Sequence, residues 1–216
     1  GNAPSVELKD DAEFLRNQDQ IYLPINNALS PHGHVHLYLQ QIGQGVQHFA
    51  CRVRDLTAFI ARANRYREIT GEGLTFLNIP RSYYGTLSQK DLEKALGSNR
   101  KNEFQEIWDC LLEHQIINQV GIVRLDVVRD DVHGALSKNK LNTEKETVHT
   151  IMRARYSNVY AMMGDTFSED EYLGIVENKI LVDVQGKDVL LQIFSTPVLL
   201  EQAGQQAPFF EFIQRV

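Results

Sequence analysis

Gly45-Val46-Gln47-His48-Phe49-Ala50-Cys51-Arg52-Val53 is the stretch on which the reading of this chain turns. It is a short apolar run behind a glycine, with one imidazole set into it, and it reads as a buried strand of a sheet. Near the C-terminus Pro208-Phe209-Phe210-Glu211-Phe212-Ile213-Gln214 has the same character, with one carboxylate in place of the imidazole. A His and a Glu pointing inward from two such strands can meet at one point.

Each residue has a plain reading beside that one. A single His in an apolar strand is commonly a hydrogen-bonded core residue, because imidazole satisfies itself easily against backbone. Burying a carboxylate costs several kcal/mol unless it is paired or coordinates a metal, so Glu211 requires a partner, and a metal or an Arg would serve. Together, His48 and Glu211 make two thirds of a 2-His-1-carboxylate iron site, whose open positions admit substrate and dioxygen.

Composition describes an ordinary globular chain: 216 residues, 43% hydrophobic and 23% charged, enough for one substantial core or two small ones. A net charge of -6 with no basic stripe argues against nucleic acid as a partner. No apolar run approaches the roughly 20 residues of a membrane span. Gly1-Asn2-Ala3-Pro4 carries no signal-peptide core and reads as a sequence boundary. Cys51 and Cys110 lie in unrelated segments without zinc-like spacing, the pattern of reduced thiols in a cytoplasmic protein.

Along the chain, residues 5–8 and 20–25 read as two antiparallel strands joined by the polar connection 9–19. His32, His34 and His36 alternate as on one face of a strand, yet Val35, Tyr38, Leu39 and Ile42 also fit a helix, on which His32 and His36 would share a face. After His48, Asp55 reads as the N-cap of an amphipathic helix with apolar positions at Leu56, Phe59, Ile60 and Ala63. Residues 74–79 then read as a strand. The region 88–167 has its own helical periodicity. Phe104, Ile107, Trp108, Leu111, Leu112 and Gln115 fall on one stripe, and 143–163 reads as a helix opened by Asn142 or Thr143. Between these, 120–128 reads as a strand. A helix is expected over 166–173, and 179–183 with 189–194 form a hairpin across Val184-Gln185-Gly186-Lys187-Asp188.

Four segments, in order, resemble the 4-hydroxyphenylpyruvate dioxygenase family: Gly45 to Ala50, Ile79-Pro80-Arg81-Ser82-Tyr83-Tyr84, Ile180-Leu181-Val182-Asp183 followed by Leu190-Leu191-Gln192-Ile193-Phe194, and Phe209-Phe210-Glu211-Phe212-Ile213-Gln214-Arg215. The resemblance implies an α+β chain built on the βαβββ vicinal-oxygen-chelate module, here carrying an inserted, mainly helical subdomain. Its expected divisions are 1–30 as the last strands of a preceding module, 31–87 as the first part of the dioxygenase-like module, 88–167 as the insertion and 168–216 as the closing strands.

The resemblance further implies Fe(II) held by His48 and Glu211, with Gln47 and Gln192 as catalytic glutamines. Asn26 (in Pro24-Ile25-Asn26), His34, Phe194 and Phe209 would contact substrate. Asn26 reads equally as a turn residue, and the two phenylalanines read equally as core. His34 stands where the family usually places a pocket glutamine. A small aromatic 2-oxo acid and dioxygen are the implied partners, with decarboxylation coupled to ring hydroxylation to give homogentisate, a step of tyrosine breakdown. The family's other iron-binding His and its closing C-terminal helix have no counterpart here, so the chain reads as a piece of such an enzyme. A related hydroxymandelate-forming dioxygenase, or a non-catalytic binding or assembly protein of the same fold, are the alternatives. The insertion is expected to serve a homo-oligomer or another partner rather than as a lid.

Overall fold

The computed structural model describes residues 24–97, 100, 103–186, 188–198 and 207–216. The expected strand at 5–8 lies outside them, and of 20–25 only Pro24 and Ile25 are described, in irregular backbone rather than a strand. The chain divides into two units. In the first, described over 24–45, helix α1 (His34–Gln41) follows Gly33 and ends where the Ile42 and Gly43 N–H groups bond back to Tyr38 and Leu39. The histidine run therefore belongs to a helix start, and His32 precedes it.

The second unit contains a four-stranded mixed sheet, β1 (His48–Arg52), β2 (Leu181–Gln185), β3 (Asp188–Phe194) and β4 (Phe209–Arg215), in the order β1-β4-β3-β2. β1 and β4 run parallel, with His48 opposite Phe209 and Ala50 opposite Glu211. β3 is antiparallel to both its neighbours, with Phe194 opposite Glu211 and Leu181 opposite Gln192. Alternation along these strands sorts the side chains into two faces. Val182, Leu191, Ile193 and Phe212 are buried on one. His48, Gln192, Phe194, Phe209 and Glu211 share the other.

Helix α2 (Leu56–Thr70) covers the apolar face. Asp55 Oδ1 accepts from the Ala58 N–H, and the chain leaves the helix through Gly71 in the left-handed region. Gln214 Oε1 accepts from the Leu56 N–H at 2.7 Å, and Phe59 packs on Phe212 at 4.8 Å between ring centroids. The start of α2 is thus tied to the strand that carries Glu211.

Residues 74–79 do not form the expected strand. Only Phe76 bridges, to Ser195, while the Leu77 N–H bonds to the Phe194 carbonyl. The segment extends the ladder for one step where β2 has ended, then Pro80 turns it into the short helix α3 (Arg81–Tyr84).

Between α3 and β2 lie α4 (Gln89–Leu96), α5 (Phe104–Glu113), α6 (Arg129–Lys138), α7 (Lys145–Arg153), α8 (Ser157–Met163), a 3₁₀ turn (Gly164–Thr166) and α9 (Glu169–Glu177). The expected stripe is present on α5, where Ile107 and Leu111 are fully buried and Phe104, Trp108 and Leu112 pack beside them. Gln115 lies beyond the helix end, at φ 54. One apolar cluster gathers Leu92, Ile107, Leu111, Val132, Leu136 and Ile151; another gathers Leu56, Ile60, Tyr84, Tyr172, Ile193 and Phe212.

Three expectations in this region fail for identifiable reasons. Residues 120–128 are not a strand: Asn118 Oδ1 accepts from the Val120 and Ile122 N–H groups, and Gly121 sits at φ 76, so the run is broken by an Asx turn and makes one bridge, Ile117 to Val123. Residues 143–163 are two helices rather than one, separated at Arg155. That buried side chain turns inward, donates to the Met152, Leu125 and Val127 carbonyls, and pairs with Glu169. The helix expected over 166–173 starts later, behind the capping box of Ser168 and Glu171, and runs on to Glu177. Among the described residues the protein is a mixed α and β fold of four strands and nine α-helices.

Candidate functional site

His48 opens β1 and Glu211 lies at the middle of β4, and the parallel register brings them together. His48 Nε2 stands 3.4 Å from Glu211 Oε2, with side chains 24% and 16% exposed. Burial pushes the Glu211 carboxyl above the usual carboxylate range, and the neighbouring His48 only partly opposes it. The imidazole lies nearly parallel to the Phe209 ring, 5.1 Å between centroids and 17° between planes. Phe209 in turn meets Phe194 edge-on at 6.0 Å. His48 Nδ1 is buried and has no hydrogen-bond partner among the described residues.

Of the residues singled out in the sequence, His48, Glu211, Phe194, Phe209 and Gln192 share one sheet face by register. Gln47 precedes β1, and what it contributes to the sheet is its carbonyl, which accepts from the Phe209 N–H at 3.2 Å. Asn26 is exposed in irregular backbone, and His34 is the first residue of α1; both belong to the first unit. His114 and His149 do not join His48 and Glu211. The His114 ring lies on the Cys110 carbonyl, with Nδ1 at 3.0 Å, and His149 sits on α7. Cys110, His114 and Asn139 cluster, but the thiol is buried and donates to the Ala135 carbonyl while burial raises its pKa, so the group is structural.

The donor set can be tested against an iron ion. Two ligands at right angles, with bonds of about 2.0–2.2 Å, stand about 3 Å apart. The 3.4 Å separation of Nε2 and Oε2 therefore suits two neighbouring positions on one cation. Among the described residues no group of three His, Cys, Asp or Glu side chains is placed to hold a metal, so the pair supplies two donors and no third.

Sequence reading did not anticipate two hollows in the largely helical part of the chain between α3 and β2. One is lined by Val127, Arg129, Met152, Arg155 and Glu169, the other by Arg81, Gln115, Ile117, Val123 and Arg124. Neither contains His48 or Glu211. Their lining charges are largely consumed internally, since Glu169 pairs with Arg129 and Arg155 and Asp126 pairs with Arg124. The inward turn of Arg155 that builds the first had no signal in the helical pattern. The half-buried carboxylate and imidazole are chemically the more demanding group, and the candidate site is placed there. No protein-family model matches this chain, and a search of curated proteins finds no match to it.

Proposed function

We propose that this chain carries the iron-binding strands of a non-haem Fe(II)-dependent dioxygenase similar to the 4-hydroxyphenylpyruvate dioxygenases, built on a vicinal-oxygen-chelate module. The observation that carries the reading is the His48 to Glu211 approach of 3.4 Å, from segments 163 residues apart in sequence that each resemble that family. The strand, helix, three-strand order of the sheet is consistent with it.

In this reading His48 and Glu211 hold Fe(II) with a third donor from outside the described pair. The bound metal supplies activation of dioxygen and decarboxylation of a 2-oxo acid. The protein's own contribution is placement. Phe194 and Phe209 form an apolar wall against an aromatic ring and keep water from it, and Gln192, on the same strand face as Phe194, offers an amide to a polar ring substituent. Burial raises the pKa of the Glu211 carboxyl, and a cation bound beside it would offset that cost.

A second reading, a non-catalytic protein that keeps the fold, is favoured by one observation: among the described residues only two donors converge. Anaerobic Co(II) or Fe(II) titration followed by oxygen uptake with 4-hydroxyphenylpyruvate separates the two. Metal binding with substrate-dependent uptake supports the dioxygenase, and mass analysis of the product distinguishes homogentisate from hydroxymandelate. Metal binding without uptake, or no binding, supports the non-catalytic reading.

A further inference from the structure

A ligating His almost always donates its second ring nitrogen to a carboxylate, carbonyl or water, and that bond fixes the ring plane. Among the described residues the buried Nδ1 of His48 has no such partner. Contact between Nε2 and Glu211 constrains one point of the ring and leaves rotation about it open. A second constraint is Phe209, whose ring lies 5.1 Å away and 17° from coplanar, within the range of offset stacking.

Phe209 is itself held on two sides. Its N–H bonds at 3.2 Å to the carbonyl of Gln47, the residue before His48, so the two backbones are locked in register at this point. The Phe194 ring stands edge-on against it at 6.0 Å and 78°. Glu211 follows two residues later on the same strand face, so one strand delivers both the carboxylate and the ring that addresses the imidazole plane.

We infer that Phe209 is a positioning residue, fixing the plane of the His48 imidazole by stacking where a hydrogen bond would ordinarily do so. This rests on the proposed metal site for its consequence, and on the apo geometry alone for its first test. The role differs from substrate contact: it predicts an effect on metal binding with no substrate present.

Two experiments on the full chain decide it. In metal-free protein, the carbon-bound ring protons of His48, assigned by comparison with His48→Ala, are expected upfield of ordinary imidazole positions through the ring current of Phe209. They return downfield in Phe209→Leu and remain shifted in Phe209→Tyr. Ordinary positions in the parent chain would overturn the proposal whether or not the Phe209 variants fold. In anaerobic Co(II) titration, Phe209→Leu is expected to bind at least about tenfold more weakly, the scale of losing an outer partner of a ligand, with an altered Co(II) visible spectrum. Phe209→Tyr is expected to restore both. Parent affinity and spectrum in Phe209→Leu would overturn it. If the parent chain binds no Co(II), the metal-site reading fails, and the ring-proton experiment still decides the positioning role.

Discussion

Burial gives several single residues of this protein a measurable chemistry. Cys110 is 4% exposed and its thiol is pushed up by burial, against a smaller opposing hydrogen bond from Asn139. Burial raises the Cys51 thiol as well, so access decides the order, and iodoacetamide at pH 8 is expected to modify the partly exposed Cys51 before the buried Cys110. Peptide mapping that finds Cys110 labelled first in native protein would contradict this. The buried phenols set an alkaline limit. Burial, with the neighbouring phenols Tyr160 and Tyr156, pushes Tyr172 up to about 12, and burial pushes Tyr84 up further in direction. Unfolded tyrosine titrates near 10, so each folded pKa is raised. Their contribution to stability is then fully present below about pH 10 and is lost as pH rises through the folded values. The urea midpoint should fall between pH 9 and 11.5, with tyrosinate absorbance appearing in step with unfolding. Independent titration of all tyrosines near pH 10 in folded protein would contradict the burial argument.

At the scale of elements, caps and close approaches carry the testable content. Ser168→Ala removes the acceptor for the Glu171 N–H and its half of the capping box on α9, and is expected to cost about 1 kcal/mol by urea denaturation. Gly121→Ala is expected to cost more, about 1–3 kcal/mol. A Cβ there would stand 2.5 Å from the Leu87 carbonyl oxygen, and the residue sits at positive φ. These two positions also show what the sequence discloses. β1, β3 and β4 are legible because apolar alternation, Gly or Pro boundaries and β-branched or aromatic residues agree, and α2 and α5 because a 3.6-residue stripe is long enough to be unambiguous. The run 120–128 misleads because its apolar residues satisfy a strand pattern while Asn118 and Gly121 impose a turn that pattern ignores. The break between α7 and α8 is set by Arg155 finding carbonyls on another segment, which no local pattern encodes. In the site, the His48 and Glu211 contact is legible because a buried carboxylate demands a partner. The Phe209 stack follows from strand register, which one chain's sequence does not fix.

At the scale of the molecule, the apolar interior of the described residues falls into two clusters, and the candidate site is built on the strands of only one. Leu111→Ala, in the other cluster and fully buried, is expected to cost about 2–5 kcal/mol while leaving metal affinity of the folded protein unchanged. No helix among the described residues is long and apolar enough to cross a membrane. What distinguishes the fold chemically is therefore one place on its sheet, where an imidazole and a raised carboxyl meet beside two phenylalanine rings. The measurement that bears most directly on it is anaerobic Co(II) titration of the parent chain, His48→Ala and Glu211→Ala, followed by absorbance and with folding checked by circular dichroism. Saturable binding by the parent chain that is lost in both folded variants is the predicted result. Equal binding by all three, or none by the parent chain, would contradict a metal site at His48 and Glu211.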